Sequence, residues 1–319
     1  MKAAVITKPG STPAFADFAD PVAQAGEEFI FVTASALSHV AKSRASGSHY
    51  SSPGSLPAVV GIDGVGRTHD GRRVYFALPE EPYGGMAERV AVSADRCLAL
   101  PADVDDVTAA AIAIPGMSSW AALKERAHLI AGENVLINGA TGTSGRLAVQ
   151  IARYLGAKRV IATGRNVEAL EQLMGIGADA TILLTQSSEE LEAAFMKQFA
   201  GEGVDVVLDY VWGKSAEILI VAGAKAGREA VPIRFIQVGA VSGGNITLPS
   251  AALRSSALVL MGSGIGSIAL KGMVNAIRDV LQAVVPGKLK IETKAVPLAD
   301  VEETWNKDSG ASRVVFVMK

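Results

Sequence analysis

The chain has 319 residues, of which 49% are hydrophobic and 19% are charged, a composition that can bury a sizeable core and a length that favours two domains. The 30 Lys and Arg residues nearly balance the 32 Asp and Glu residues, which argues against a nucleic-acid partner or an anionic membrane surface. No run of 18 apolar residues and no signal-peptide pattern is present, so we expect a cytoplasmic protein without a membrane span.

The first 113 residues are predicted to form a small, irregular β-barrel. Short strand-like runs, among them EEFIFVTAS and RRVYFAL, alternate with clusters of Gly, Pro, Ser and Asp. Residues 47–57 are predicted to form a loop. After Pro101 the composition becomes helical, and we expect Pro115 and Gly116 to interrupt that helix.

From Asn134 onward, apolar strands alternate with helices. The alternation predicts an α/β, Rossmann-type domain, because uniformly apolar strands are typical of a parallel sheet that helices cover on both faces. One helix is predicted to be capped by Ser187 or Ser188. Two strand patterns near the C-terminus are predicted to rejoin the N-terminal domain. We therefore expect a nucleotide-binding domain over 114–265 and a second domain formed by 1–113 with 266–319.

A glycine-rich turn, GATGTSG, follows the apolar strand NVLIN and precedes an apolar helix. In this context one glycine permits a tight turn, one lets the backbone approach a diphosphate, and the last allows close packing of helix and strand. The free N–H groups at the helix start would face the phosphates. The predicted cofactor contacts in this loop are Gly139, Thr141, Gly142, Thr143, Ser144 and Gly145.

The end of the next strand, ATGRN, indicates which nicotinamide cofactor binds. An NAD site usually has an acidic residue there to bond the ribose 2′-hydroxyl. Here the residues are Gly164, Arg165 and Asn166, and the first acid is Glu168 in the next helix. A guanidinium can bind a 2′-phosphate through paired hydrogen bonds, so we expect NADP(H). The alternative is that Arg165 is a solvated loop charge.

Tyr154 and Lys158 form a Y-x-x-x-K pair that resembles the catalytic pair of short-chain reductases. Both lie at the far end of the first helix after the glycine loop, away from the sheet edge where ligands bind. We therefore interpret them as a packed tyrosine and a solvated lysine.

Five segments together resemble the medium-chain dehydrogenase/reductase superfamily, in its zinc-free quinone oxidoreductase branch. They are LPAVVGIDGVG, GGMAERVAVSADRCLALP, INGATGTSGRLAVQIARYLGAKRVIATGRN, VDVVLDYVWG and RFIQVGA. The resemblance implies a GroES-like catalytic domain and hydride transfer from NADPH to a quinone or an α,β-unsaturated carbonyl. It also implies a homodimer and nicotinamide contacts from the ends of the later strands, at Gly239, Ala240, Met261, Gly262 and Ser263.

Zinc ligands are absent from the expected places. Zinc-dependent relatives use a Cys and a GHE turn, whereas this turn reads Gly61, Ile62, Asp63, and Cys97 lies on another segment. The four histidines show no ligand spacing. We therefore predict a zinc-free site.

Ser38, His39 and Tyr50 are candidate donors to the substrate carbonyl oxygen, and Asp63 is a candidate for orienting the site or moving a proton. Each has an alternative as a loop or barrel residue. The branch often shows N-P-x-D along this segment, but Ser38 and Ala41 replace the Asn and the Asp, so substrate class does not carry over. An enal or acyl-thioester reductase and a non-catalytic NADPH-binding sensor or scaffold remain alternatives.

Overall fold

The computed structural model describes residues 1–48, 52–307 and 312–318. Two compact units divide the chain. The mixed-sheet unit comprises Met1–Ile114 with Ile277–Lys319, and the parallel-sheet unit comprises Pro115–Ala276. The later division falls after Ala276, whereas the sequence favours one after residue 265.

The secondary structure follows the chain in this order. The first half contains β1 (Lys2–Ile6), β2 (Ala14–Asp17), β3 (Glu27–Ala36), α1 (His39–Ala45), β4 (Ala58–Val59), β5 (Asp63–Thr68), β6 (Arg73–Ala77), β7 (Arg89–Ser93), β8 (Cys97–Ala99), α2 (Asp106–Ala121), β9 (Asn134–Asn138) and α3 (Thr143–Tyr154). The second half contains β10 (Arg159–Gly164), α4 (Val167–Met174), β11 (Ala180–Leu183), α5 (Ser188–Ala200), β12 (Val206–Asp209), α6 (Gly213–Ala226), β13 (Ile233–Gln237), α7 (Ser250–Arg254), β14 (Leu258–Gly262), α8 (Leu270–Ala283), β15 (Thr293–Pro297), α9 (Val301–Thr304) and β16 (Arg313–Val317).

The mixed-sheet unit contains a three-stranded sheet, β2-β1-β4, and a seven-stranded sheet in which β15-β16-β3-β5-β6-β8 form the path and β7 pairs with β3. The C-terminal strand β16 runs antiparallel to β3, so the end of the chain completes a sheet built by its beginning, as the sequence predicts. Side chains two residues apart on the central strands share one buried cluster, among them Ile30, Val74, Phe76, Val90 and Val92.

The parallel-sheet unit contains a six-stranded sheet in the order β11-β10-β9-β12-β13-β14. All five pairings are parallel. The order reverses between β9 and β12, the arrangement of a doubly wound dinucleotide-binding fold, whose ligands bind at the carboxyl ends of the strands beside the reversal. The predicted α/β fold class is confirmed. One face of the sheet packs Leu136, Val207 and Phe235 against Phe195 and Leu219 of the helices.

The predicted interruption at Pro115 is wrong. Helix α2 runs through Pro115 and continues as a π-helical turn over Ala122–Arg126. A proline inside a solvated helix costs about 3 kcal/mol, because one backbone hydrogen bond is lost and the ring crowds the preceding turn. Here residues 109–113 are completely buried, and the burial of this turn outweighs the loss.

Candidate functional site

Gly139 opens the turn after β9 with a φ of +85°, which favours glycine. A Cβ at this position would lie 2.3 Å from Cγ2 of Val211, so a larger residue has no space. The Gly139 N–H donates to Oγ1 of Thr163, 3.0 Å away on β10. The start of the loop is therefore held in place by two contacts: Val211 packs against it, and the Thr163 side chain on β10 accepts its hydrogen bond.

The other two glycines of the loop have different surroundings. A Cβ at Gly145 would lie 2.5 Å from the Cα of Ala140, so this glycine lets α3 approach the loop closely. Gly142 is exposed, and a Cβ there would meet no atom of the described residues within 4 Å. Gly142 is also the N-cap of α3 and supplies no side-chain hydrogen bond to the helix start. An open backbone surface beside uncapped N–H groups fits a diphosphate.

Three further loop residues flank this surface. Thr141, Thr143 and Ser144 are each partly exposed. A Cβ at Gly164, the last residue of β10, would lie 2.3 Å from Cγ2 of Thr141. The loop and the end of β10 therefore pack tightly, which brings the hydroxyl-bearing loop residues beside the residues predicted to recognise the ribose.

Arg165 and Asn166 follow β10 directly. Asn166 is the N-cap of α4, and its Oδ1 accepts from the backbone N–H of Ala169 at 2.8 Å. Arg165 is exposed, and within the described part of the chain it makes no hydrogen bond or ion pair. A guanidinium that no described residue pairs with fits a phosphate ligand at this strand end.

A buried polar network crosses three strands where the strand order reverses. Thr163 on β10 donates from its hydroxyl to Oδ1 of Asn138 on β9 at 2.7 Å. The Nδ2 group of Asn138 donates to Oδ1 of Asp209 on β12 at 2.9 Å and to the Ser215 hydroxyl at 3.0 Å. Asn138, Thr163 and Asp209 are completely buried. Since the Thr163 hydroxyl also accepts from the Gly139 N–H, the network is connected by hydrogen bonds to the first residue of the glycine loop.

The carboxylate of Asp209 also fixes the segment after β12. It accepts from the backbone N–H groups of Val211 at 3.0 Å and Trp212 at 3.1 Å. Burial raises the pKa of Asp209, and these hydrogen bonds, together with that from Asn138, oppose the rise. Trp212 has a φ of +59° and a ψ of −157°, a region almost restricted to glycine. The carboxylate therefore stabilises a strained backbone at a bulky residue.

A groove opens at the carboxyl ends of β13 and β14. It has a volume of about 380 Å³ and is lined by Trp212, Phe235, Gln237, Ala240, Gly244, Leu260, Met261 and Gly262. Three of the predicted nicotinamide contacts, Ala240, Met261 and Gly262, are in this lining. Gly239 lies beside it, where a Cβ would be 2.8 Å from the carbonyl oxygen of Tyr210. The Ser263 N–H donates to the Gln237 carbonyl at 2.9 Å.

Two candidate donors lie at the start of α1 in the mixed-sheet unit. Ser38 is the N-cap of this helix and is 3% exposed; its Oγ accepts from the Ala41 N–H at 2.9 Å. His39 is exposed, and its pKa is lowered by partial desolvation and by the positive charges of Arg313 and Lys42. A neutral imidazole can donate a hydrogen bond at neutral pH. Tyr50 lies outside the described residues.

Asp63 is completely buried at the start of β5. Its Oδ2 accepts from the Tyr75 hydroxyl at 2.9 Å, and its Oδ1 has no hydrogen-bond partner within the described residues. Burial raises the pKa of Asp63 to about 7, against the effects of the Arg313 charge and the Tyr75 hydrogen bond. The carboxyl is therefore held inside the mixed-sheet unit by a tyrosine that is itself completely buried.

Tyr154 and Lys158 lie apart from the glycine loop, at the opposite end of α3. Tyr154 is 43% exposed, with its ring centroid 5.9 Å from that of Trp120. The Lys158 ammonium forms an ion pair with Glu202 at 3.1 Å. The tyrosine is less buried than we expect for a packed residue, although its ring lies beside that of Trp120.

Comparison with known proteins gives the family. Residues 145–284 match the family described as zinc-binding dehydrogenase. A protein of Emericella nidulans, named probable NADPH-dependent quinone reductase tdiC, is 30% identical over 359 aligned positions that cover 99% of this chain and 100% of the relative. The chain belongs to the medium-chain dehydrogenase/reductase superfamily, in its quinone oxidoreductase branch.

Solved structures of the quinone oxidoreductase branch share this fold. The quinone oxidoreductase of Thermus thermophilus, whose complex with NADPH is known, has a TM-score of 0.79 and 26% identity, covering 99% of this chain and 100% of that one. A mycobacterial quinone oxidoreductase has a TM-score of 0.85 at 20% identity, covering 99% of each chain. Among shorter matches, a mycocerosic acid synthase-like polyketide synthase of Mycobacterium tuberculosis is 34% identical over 158 residues, 50% of this chain and 7% of that protein.

Two absences concern only the part of the chain that the structure describes. Within it, no group of three or more His, Cys, Asp or Glu side chains is arranged to hold a metal ion. No helix there is long and apolar enough to cross a membrane. A zinc-free site in this member of the superfamily stays a prediction.

The sequence of this chain does not directly predict the buried polar network or the backbone conformation of Trp212. Asn138 and Asp209 are each the polar last residue of a strand, and each directly follows a run of three apolar residues. That shared position is a usable signal, because the carboxyl ends of parallel strands meet at one sheet edge. Pairing them requires knowing that β9 and β12 are neighbours, although the two residues are 71 positions apart in the chain.

Proposed function

We propose that this protein is an NADPH-dependent oxidoreductase that transfers hydride to a quinone. The observation that carries the proposal is Arg165, which directly follows β10, has no partner among the described residues and lies beside an open glycine loop without a side-chain cap. The Emericella relative's name and the NADPH complex of the Thermus relative support the same cofactor and substrate class. NADPH, when bound, supplies a hydride, and a proton from solvent completes reduction of the quinone to the hydroquinone.

The residues of the parallel-sheet unit divide the work of binding the cofactor. The N–H groups at the start of α3, with the hydroxyls of Thr141, Thr143 and Ser144, bind the diphosphate. Arg165 binds the 2′-phosphate, and Gly164 and Asn166 position it. Gly239, Ala240 and the end of β14 bind the nicotinamide end.

The residues of the mixed-sheet unit are proposed to act on the substrate. Negative charge develops on the carbonyl oxygen during hydride transfer, and a hydrogen-bond donor there contributes about 10²-fold or more to the rate. Ser38 retains its hydroxyl proton while its oxygen caps α1, and His39 is a neutral donor. Tyr50 is a third candidate. Asp63 is proposed to orient the surrounding sheet, because its buried carboxyl is held by Tyr75.

Steady-state assays with NADPH and NADH against 1,4-benzoquinone, 1,4-naphthoquinone and 2-cyclohexenone test the proposal. We expect NADPH oxidation with the quinones and weaker activity with NADH. Tight NADPH binding with no turnover of any acceptor would favour a sensor or scaffold instead.

Elemental analysis should find less than one zinc per chain, and a full equivalent would contradict the zinc-free site.

A second candidate is reduction of an α,β-unsaturated carbonyl, such as an enal or an acyl thioester. It is favoured by the match of half the chain to a polyketide synthase. Crotonaldehyde and crotonyl thioesters in the same assay discriminate. Turnover of these in preference to quinones would replace the quinone assignment.

The assembly is proposed to be a cytoplasmic homodimer. Strand β14 ends the parallel sheet, and Val259 on it is 43% exposed. Sheet edges of this kind are normally covered. Light scattering after size-exclusion chromatography should give twice the chain mass.

A further inference from the structure

The turn over residues Gly262–Ser267 carries proposed contacts to the nicotinamide but has little packing of its own. Its first residue ends β14, and three of its six residues are glycines. Five of the six are exposed, and Gly266 has a φ of +92°. Glycines leave the chain many conformations to choose from. Contacts with other parts of the chain must therefore fix this turn.

Hydrogen bonds within the turn close its second half. The Ser267 Oγ accepts from the Gly264 N–H at 2.8 Å, and the Ser267 N–H donates to the Gly264 carbonyl at 3.1 Å. The first half is bonded to the neighbouring strand from the Ser263 N–H to the Gln237 carbonyl on β13 at 2.9 Å. Because β14 ends the parallel sheet, no strand among the described residues supports it from the other side.

Arg126 reaches this turn from the end of the π-helical turn that follows α2. Its Nε donates to the Gly262 carbonyl oxygen at 2.8 Å, and its Nη1 donates to the Ser267 carbonyl oxygen at 3.4 Å. The shorter bond is well formed and the longer one is weak. The acceptors lie 136 and 141 positions further along the chain. One guanidinium therefore holds the first and the last residue of the Gly262–Ser267 turn.

The π-helical turn over Ala122–Arg126 determines the direction of the Arg126 side chain. The Ala127 N–H bonds to the Ala122 carbonyl, five residues earlier, at 2.8 Å. The extra residue rotates the side chains at the end of the turn by about 100° relative to a regular α-helix. Arg234 on β13 donates to the Ala127 carbonyl at 2.7 Å, which anchors the π-helical turn to the sheet. Such turns occur frequently at functional sites.

We propose that Arg126 is a positioning residue for the nicotinamide half of the cofactor site. By holding the two carbonyls, it keeps Gly262 and Ser263 in one conformation before NADPH binds. The entropy of ordering a glycine-rich turn is then not subtracted from the binding free energy. Arg126 acts through the backbone of the turn. The proposal rests on the proposed function for the assignment of Gly262 and Ser263 to the nicotinamide.

A cofactor fragment separates this role from a general effect on the fold. The fragment 2′-phospho-ADP-ribose contains the adenosine, the 2′-phosphate and the diphosphate of NADPH but no nicotinamide. In Arg126→Ala, calorimetry should show the Kd for NADPH raised about five- to tenfold and the Kd for the fragment within about twofold of the wild type. Lys124→Ala removes an exposed cation of the same π-helical turn and should change neither Kd. Equal losses for the two ligands, or an unchanged Kd for NADPH, would overturn the proposal.

Hydrogen exchange of the protein without cofactor measures the turn directly. In Arg126→Ala, we expect exchange across residues 262–268 to accelerate about fivefold or more, because the turn opens more often. Exchange across the glycine loop at 139–145 should stay at the wild-type rate, and Lys124→Ala should resemble the wild type in both segments. A wild-type rate at 262–268 in Arg126→Ala would show that the turn is fixed without the guanidinium, and the proposal would be wrong.

The positioning role and the proposed function fail in different experiments. If the wild type reduces quinones and Arg126→Ala loses both ligands equally, the positioning role is wrong and the proposed function stands. If the wild type reduces no acceptor but Arg126→Ala weakens NADPH and not the fragment, the proposed function is wrong and the positioning role stands. Arg165→Ala is the reference for the opposite pattern, since both ligands carry the 2′-phosphate and should weaken together.

Discussion

The Nδ2 group of Asn138 donates to the Asp209 carboxylate at 2.9 Å, across the two strands between which the order of the parallel sheet reverses. The two residues are directly paired in register at the carboxyl ends of β9 and β12. Each residue makes a further hydrogen bond. Asn138 accepts from Thr163, which in turn accepts from the Gly139 N–H, and Asp209 accepts from the Trp212 N–H. One buried contact therefore links the diphosphate loop to the groove.

Removing the carboxylate should destabilise the fold. Asp209→Ala leaves three donors without an acceptor, on Asn138, Val211 and Trp212. Each unsatisfied buried donor costs about 1–3 kcal/mol, so we expect a loss of about 3 kcal/mol or more in urea unfolding. Asp209→Asn keeps an acceptor oxygen and should retain most of the stability. Equal losses in both variants would show that charge, and not hydrogen bonding, is what matters at this position.

Arg165→Ala should separate the two nicotinamide cofactors. We expect the Kd for NADPH to rise about ten- to hundredfold, because hydrogen bonds to a charged group contribute about 1.5–3 kcal/mol. The Kd for NADH should stay nearly constant, and fluorescence titration measures both. Lys158→Ala, which removes an exposed cation of the same unit, is the control. A parallel loss for NADPH and NADH would contradict the assignment of Arg165 to the 2′-phosphate.

Two glycine substitutions in the loop should affect different properties, one mainly NADPH binding and the other thermal stability. Gly142→Ala adds a methyl group that meets no described atom within 4 Å, so Tm should fall only slightly, by the loss of a favourable N-cap residue, while NADPH binding falls at least about tenfold. Gly145→Ala places a Cβ 2.5 Å from the Ala140 backbone, and Tm should fall. Calorimetry and cofactor titration on both variants check this. Full NADPH affinity in Gly142→Ala would mean that the diphosphate does not lie on this surface.

Stability should depend on pH through Asp63. Its pKa is raised by burial from 3.8 to about 7, so the folded state holds the proton more strongly than the unfolded state. The stabilisation from this proton is complete below about pH 4 and is lost as the pH rises through about 7. The free energy of unfolding of Asp63→Asn, minus that of the wild type, should therefore increase across this window and level off above it.

A matched control for Asp63 is the exposed Asp70. Its pKa is lowered to about 2, first by the hydrogen bond from Thr68, so it titrates below the same window. Asp70→Asn should show a flat difference from the wild type between about pH 4 and 7. Urea unfolding at each pH measures both variants. A flat difference for Asp63→Asn as well would show that its carboxyl is ionised in the folded state throughout.

Local patterns in the sequence predict much of the parallel-sheet unit. Alternating apolar strands and helices, the glycine turn and the Ser187 cap all act over a few residues, and the structure contains each of them; Ser187 and Glu190 form a full capping box. Pro115 misleads because burial of the helix, a property of the tertiary structure, outweighs a local preference.

The network and the groove depend on contacts between distant parts of the chain. Asn138 and Asp209 meet only because β12 lies beside β9, and no short pattern encodes that adjacency. A tryptophan also gives no sign that its backbone will adopt a glycine-like conformation, since the cause is the carboxylate three residues earlier. Ser38 shows the same limit, because its role as a helix cap depends on where α1 begins.

Trp212 has a consequence for how this protein can be stabilised. Its backbone strain is released by glycine, so Trp212→Gly should melt higher than the wild type unless the lost packing of the indole against Phe235 outweighs the relief. Trp212 lines the groove that contains the proposed nicotinamide contacts Ala240 and Met261, so the most stable residue at this position is not the most useful one. Consensus or stability-guided engineering would therefore select against cofactor binding here, and this residue should be kept unchanged in any thermostabilised variant.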